Sequence, residues 1–317
     1  MEDCEITTNK ILILITNYHE ILIRDIIRGM KIIFMGTPEF GAIVLEGLIK
    51  YKPYSGRWPN GPFRPVLVVT APDKPVGRKQ IITPPPVKVV AQKYNVSVEQ
   101  PEKIQDTKYK ILNTKPDLIV VAAYGQILPK EILEIPKYGC LNIHPSLLPK
   151  YRGPSPIQYA ILNGEKETGV TIIKMSEKVD QGEIVSSIKY LVSSRETSET
   201  LSKKLAELGT KLLVETIPKW IDGKIKPRPQ EESKATYTKA LKKGDGKIDW
   251  KKSAQLIERQ IRTFNPWPGS FGLYNEKLLK ILKADVLAQT KNGPFGPPGK
   301  VFLASNEKIA VQTGKDF

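Results

Sequence analysis

The sequence predicts an α/β protein: a doubly wound, mostly parallel sheet followed by a small, separate β-barrel. Three observations carry that expectation. Short apolar runs alternate with helical stretches between Lys31 and Ile221, which is the pattern of strands joined by crossover helices. The run from Asp117 to Ala123 is almost wholly apolar, as suits a parallel strand buried on both faces. After Tyr237 the chain changes to short β-type runs separated by Gly and Pro turns. With 317 residues, the chain has room for two domains, the larger with ample core.

The first 29 residues are expected to be an extension without function, because Met30 stands directly before the first good strand. Acids near Met1 and the lack of a small-residue cleavage site argue against a signal peptide. Apolar runs at 11–15 and 21–23 are broken long before the roughly 20 residues that a membrane span needs, so no membrane partner is expected.

Lys31 to Met35 reads as a strand, Gly36 to Gly41 as a turn, and Ile43 to Ile49 as helical. That turn superficially matches a dinucleotide fingerprint. Pro38, however, stands where a second glycine must let the backbone approach a pyrophosphate, so no nucleotide site is expected. A Gly/Pro/aromatic loop, Tyr51 to Pro65, leads to a strand at Val66 to Thr70 and then to a basic, proline-punctuated loop, Ala71 to Gln80. Helix follows at Val87 to Tyr94, and strands at Val96 to Val98 and Asp117 to Ala123. The loop Tyr124 to Pro129 then leaves the strand end. Pro156 to Leu162 is helical, Gly169 to Met175 a strand, Val179 to Val185 a turn between strands, and Ser198 to Ile221 a helix capped by Thr197 or Ser198. Lys224 to Tyr237 has no apolar period and reads as a linker. Beyond it come a short strand at Lys247 to Trp250, a helix at Ser253 to Thr263 capped by Ser253, and the aromatic turn Asn265 to Phe271. Further strands are expected at Gly272 to Tyr274, Leu278 to Val286, Lys300 to Leu303 and Lys308 to Gln312. The division expected is an extension over 1–29, a catalytic domain over 30–223, a linker over 224–238 and a basic barrel over 239–317.

A formal net charge of +16 and a pI of about 9.6 favour an anionic partner such as nucleic acid, the alternative being a generally lysine-rich proteome. From Lys224 to the end there are 19 Lys/Arg against 9 Asp/Glu, so about a third of the chain holds most of the excess. Two cysteines and two histidines rule out a disulfide scaffold and a Cys/His metal cluster, and point to a reducing compartment.

The chemistry gathers in Gly139 to Gly153, where an apolar run ends in Asn142-Ile143-His144-Pro145-Ser146-Leu147-Leu148-Pro149 and Tyr151-Arg152-Gly153. Strand alternation puts the Asn142 amide and the His144 imidazole on one face at a strand's C-terminal end, where open α/β sheets bind ligands. Asp180 in Asp-x-Gly can be only a turn former. An amide, an imidazole and a carboxylate without a nucleophilic Ser or Cys suit acyl transfer to an external amine. The amide and a protonated ring stabilise an oxyanion, the ring or a water moves the proton, and the carboxylate orients and charges the ring.

These residues, with Phe34-Met35-Gly36-Thr37-Pro38-Glu39-Phe40, Pro72-Asp73-Lys74-Pro75-x-Gly77-Arg78 and Asn265-Pro266-Trp267-Pro268-Gly269, resemble the methionyl-tRNA formyltransferases, colinearly from Met30 nearly to the end. The resemblance implies a Rossmann-like formyltransferase domain and an OB-like barrel. It implies transfer of formyl from 10-formyltetrahydrofolate, a co-substrate, to methionine on the initiator tRNA, in the bacterial cytoplasm, by a metal-free monomer. It implies catalysis by Asn142, His144 and Asp180, folate contacts at Ser146, Leu147, Leu148 and Pro149 with Tyr124, Gly125 and Gln126 nearby, and tRNA contacts at Lys74, Arg78 and Lys79. The Asn/His/Asp set alone is shared with formyltransferases acting on sugar nucleotides or glycinamide ribonucleotide, and a folate hydrolase or a non-catalytic RNA-binding protein are the other readings. Two features depart from the family pattern: the Tyr51 to Pro65 loop is longer, and the sequence stops at Phe317 where relatives continue, which is expected to leave an unpaired barrel edge.

Overall fold

The computed structural model describes residues 29–52, 63–77, 79–287, 296–304 and 309–315. The expectations for the extension over 1–28, for most of the Tyr51 to Pro65 loop, for Arg78 and for the final two residues lie outside the described residues.

The N-terminal strand β1 (Ile32–Gly36) is buried throughout and leads to α1 (Glu39–Lys50). Then come β2 (Leu67–Val69), β3 (Lys74–Val76), β4 (Ile81–Thr83), α2 (Pro86–Lys93) and β5 (Ser97–Glu99). A 3₁₀ turn at Ile104–Thr107, α3 (Lys108–Thr114), β6 (Leu118–Ala122), α4 (Lys130–Leu133) and β7 (Cys140–His144) follow. After these come α5 (Pro156–Leu162), β8 (Glu167–Lys174), β9 (Glu183–Leu191) and α6 (Ser198–Ile221). The last elements are α7 (Ala254–Phe264), β10 (Ser270–Tyr274), β11 (Lys277–Ile281), β12 (Val301–Leu303) and β13 (Ile309–Val311).

Seven strands form one sheet in the order β5-β2-β1-β6-β7-β8-β9. The pairs β1–β2, β2–β5, β1–β6 and β6–β7 are parallel, and β8 joins β7 antiparallel. The strand order reverses between β1 and β6, and the carboxyl ends beside such a reversal are where a ligand crevice opens. Residues Ile33, Met35, Leu67, Val69, Ile119, Val121 and Cys140 form one core face with Ile104 and Ile111 beneath them. Strands buried on both faces explain the unbroken apolar runs. Gly36 and Gly41 serve this packing, since a Cβ on either would come within 2.7 Å of the Ala122 carbonyl oxygen.

The described residues divide into two compact units. One lies within 29–150, 169–189 and 203–235, the other within 151–168, 190–202 and 236–315. Within the second, α7 starts at Ser253, whose hydroxyl accepts the Leu256 N–H at 3.4 Å, and α7 buries Ile257 and Ile261 against Ile248. Its strands pair, among the described residues, as the antiparallel ladders β10–β11 and β12–β13, a small strand-rich module.

Two stretches are more ordered than their sequences predict. The basic loop at 74–83 is a short antiparallel hairpin, β3–β4, in which Lys74 pairs with Thr83 and Val76 with Ile81. In the stretch expected to be a linker, Arg228 pairs with Ile184 through two backbone hydrogen bonds of 2.7 and 2.9 Å.

Candidate active site

Strand alternation along β7 separates two jobs. Ile143 faces α6, where Gly209 leaves the room that its side chain occupies: a Cβ on Gly209 would meet Ile143 Cγ2 at 2.8 Å. Asn142 and His144 point the other way, in register with the face that carries Val121. His144 is 4% exposed and Asn142 half-buried. Asp180 comes from the turn between β8 and β9, and its Oδ1 lies 3.5 Å from both Asn142 Nδ2 and His144 Nδ1. The structure therefore brings together the three residues that the sequence singled out. Contacts of 3.5 Å are long, and catalytic hydrogen bonds commonly tighten only when substrate is bound.

The Asp-x-Gly pattern is dictated by the turn. Asp180 has φ of +53°, a left-handed conformation that costs a non-glycine residue about 1 to 2 kcal/mol. Gly182 lies so close to β8 that a Cβ would stand 1.9 Å from the Lys174 carbonyl oxygen. The Gln230 amide donates to the Asp180 carbonyl at 2.8 Å and to the Gly182 carbonyl at 2.7 Å. Two such bonds, at about 1 kcal/mol each, offset the left-handed strain.

The loop after β7 is pinned from the antiparallel neighbour. Thr171 sits opposite His144; its hydroxyl donates to the Ser146 carbonyl at 2.7 Å and accepts the Leu148 N–H at 3.1 Å. Ser146 is fully buried and donates to the Lys150 carbonyl at 2.6 Å, Leu148 is buried, and Leu147 and Pro149 are half-buried. Of the loop after β6, the Tyr124 ring is in the core, where burial pushes its hydroxyl up to about 12. Gly125 has φ of +89° with open space around it. The Gln126 side-chain Oε1 accepts the Ile104 N–H at 2.8 Å, and its Nε2 donates to the Glu102 carbonyl at 3.2 Å, so this side chain braces the neighbouring segment.

Lys74 and Lys79 are exposed on the β3–β4 hairpin together with Val76, Ile81 and Ile82. The hairpin's base is fixed by Asp73, which accepts Lys88 Nζ at 2.7 Å and Gln100 Nε2 at 2.7 Å. The Gln100 hydrogen bond, seconded by Lys88, holds the Asp73 carboxyl below the usual carboxylate range.

Sequence reasoning did not pick out Thr171 or Gln230. Thr171 carries only the period-2 signal of any strand residue, and Gln230 lies in a stretch with no apolar period at all. Among the described residues no group of three or more His, Cys, Asp or Glu could hold a metal ion, and no helix is long and apolar enough to cross a membrane. The amide, the imidazole and the acid behind them can polarise a carbonyl and manage a proton without a covalent intermediate.

Comparison with known proteins gives the same chemistry. Residues 30–217 match the family model for formyl transferase, and residues 240–317 that for the formyl transferase C-terminal domain. The methionyl-tRNA formyltransferase of Bacillus velezensis is 46% identical over 287 residues, covering 90% of this chain and 86% of that protein. Among solved structures, an N-formyltransferase from Helicobacter canadensis, in complex with folinic acid and dTDP-3-aminofucose, aligns with a TM-score of 0.62 at 20% identity, covering 91% of this chain and 97% of the other. HypX from Aquifex aeolicus aligns with a TM-score of 0.60 at 20% identity over 90% of this chain, which spans 43% of that protein's length. At these identities the structural likeness speaks for the fold.

Proposed function

The chain belongs to the formyl transferase family, and from that premise we propose that it moves the formyl group of 10-formyltetrahydrofolate to the amino group of methionine on initiator methionyl-tRNA. The observation that carries the reading is the convergence of Asn142, His144 and Asp180 at one strand end in a chain whose relatives carry out this reaction. The acceptor amine adds to the formyl carbon, the bond from that carbon to the folate nitrogen breaks, and tetrahydrofolate leaves. Asn142 Nδ2 donates to the formyl oxygen as negative charge develops there. With Nδ1 turned to Asp180, His144 presents Nε2 to the same oxygen, and the ring or a water carries the amine's proton to the leaving nitrogen. Asp180 orients the ring.

Folate fits the loop over Ser146, Leu147, Leu148 and Pro149, whose half-buried Leu147 and Pro149 offer apolar surface, with Tyr124, Gly125 and Gln126 at the neighbouring strand end. The tRNA acceptor end meets Lys74, Arg78 and Lys79, and the basic module over 239–317 follows the tRNA backbone through phosphate contacts, a salt-sensitive attraction. In this reading 30–223 is the catalytic domain, 224–238 connects it to the module, and the protein works as a cytoplasmic monomer without a metal.

The test supplies 10-formyltetrahydrofolate with charged initiator tRNA, with charged elongator tRNA, or with no acceptor. Formylmethionyl-tRNA should accumulate with the initiator, and an Arg78→Ala protein should lose tRNA use while still binding folate. Folate turnover at an equal rate without tRNA would replace this reading with a hydrolase.

A further inference from the structure

We infer that Gln230 is a positioning residue for catalysis, and that the stretch around it is a wall of the active site; this rests on the formyl-transfer reading above. Arg228 pairs with Ile184 through both backbone bonds, which fixes the strand-like course of 228–230 alongside the start of β9. Two residues on, Gln230 is half-buried and its amide nitrogen has one proton for each of two carbonyls, those of Asp180 at 2.8 Å and Gly182 at 2.7 Å. Those two residues bracket the tightest part of the turn. Asp180 holds a left-handed backbone, and Gly182 is pressed against Lys174. Strained backbone of this kind persists only where its surroundings over-determine it. Without the amide, two half-buried carbonyls lose a shared donor and the turn relaxes. The Asp180 carboxylate then leaves its place 3.5 Å from Asn142 Nδ2 and His144 Nδ1. Through these two hydrogen bonds Gln230 reaches the backbone of the turn that carries Asp180, so its effect on the reaction passes through Asp180.

Gln230→Glu, of the same length but without the two-proton donor, and Gln230→Leu test this. Misplacement of a catalytic group by about 1 Å costs on the order of 10²-fold, so kcat should fall about 10- to 100-fold with KM for both substrates changed less than about twofold. In an Asp180→Asn background the same substitutions should cost nothing further, because both changes remove one interaction. A second readout is independent of turnover. The chain has two histidines, and the ring NMR signals of His144, assigned through a His144→Ala protein, should move in both Gln230 variants in the direction that Asp180→Asn moves them. Unchanged His144 signals, additive losses in the Asp180→Asn background, or loss of fold in both variants would overturn the inference. Shifted His144 signals in a protein that transfers no formyl group would instead sink the functional reading and leave the role of Gln230 standing.

Discussion

Asn142 and His144 were legible because two residues apart on a strand means the same face, because His144 is one of only two histidines, and because the Ser-Leu-Leu-Pro-x-Tyr-Arg-Gly that follows is too specific for a generic turn. Asp180 was legible only as a choice between a turn former and a candidate acid, and in the structure the two readings are compatible. Its backbone is the left-handed corner of the turn, and its carboxylate reaches the pair. Arg152 shows the reverse. The Tyr-Arg-Gly that follows the loop after β7 is distinctive in sequence, yet Arg152 is 1% exposed. Its backbone pairs with Thr236 and Thr238, and its guanidinium donates to the Tyr237 hydroxyl at 2.8 Å. The specificity of that motif is therefore one of packing within its own unit. Gly182 gives the sharpest residue-scale prediction. A Cβ placed 1.9 Å from the Lys174 carbonyl oxygen forces the turn away from β8, so Gly182→Ala should lose about 1 to 3 kcal/mol in urea unfolding. Turnover at the native temperature should fall with it, since Asp180 rides on the same turn.

At the scale of elements, the alternation of strands and helices was readable because strands buried on both faces are continuously apolar. The 3₁₀ turn and α3 were not, since Ile111 is the one residue α3 buries and Leu112 is exposed, which leaves no helical period to see. The β3–β4 hairpin was hidden for a related reason. All six of its strand residues are exposed, so no apolar alternation marks it, and its anchor, the Asp73 contact with Lys88 and Gln100, is not local in sequence. Helices α1 and α2 are tied by Glu46, which accepts Lys50, Lys93 and the Tyr94 hydroxyl at 2.8 to 2.9 Å. The Lys50 hydrogen bond, followed by those from Lys93 and Tyr94, brings its carboxyl from an ordinary 4.5 down to about 2. A carboxyl depressed by folding contributes stability that is complete above its unfolded value and disappears as pH falls through its folded one. Glu46→Gln should therefore be less stable than the unsubstituted protein near pH 7, and the gap should close as pH is lowered from about 4.5 to about 2. Urea denaturation at three or four pH values across that interval measures it. A gap that stayed constant would mean that Glu46 acts by shape alone.

For the whole molecule, sequence supplied the fold class, the order of the two family segments and the nature of the partner. Net charge is a property of composition, and an excess of basic groups after Lys224 needs no structure to be noticed. What it could not supply is how the stretch after Lys224 is held. Lys224 to Tyr237 has no apolar periodicity, and the contacts that hold Arg228 and Gln230, backbone pairing and an amide's hydrogen bonds, leave no hydrophobic trace. The central claim is that one amide, one imidazole and one carboxylate at the end of β7 carry the formyl transfer. Single-turnover formylation of initiator methionyl-tRNA, with folate and tRNA saturating, tests it most directly in the unsubstituted protein and in His144→Ala. The rate in His144→Ala should fall at least about 10²-fold, with circular dichroism and folate binding retained. An unchanged rate in the His144→Ala protein would contradict the claim.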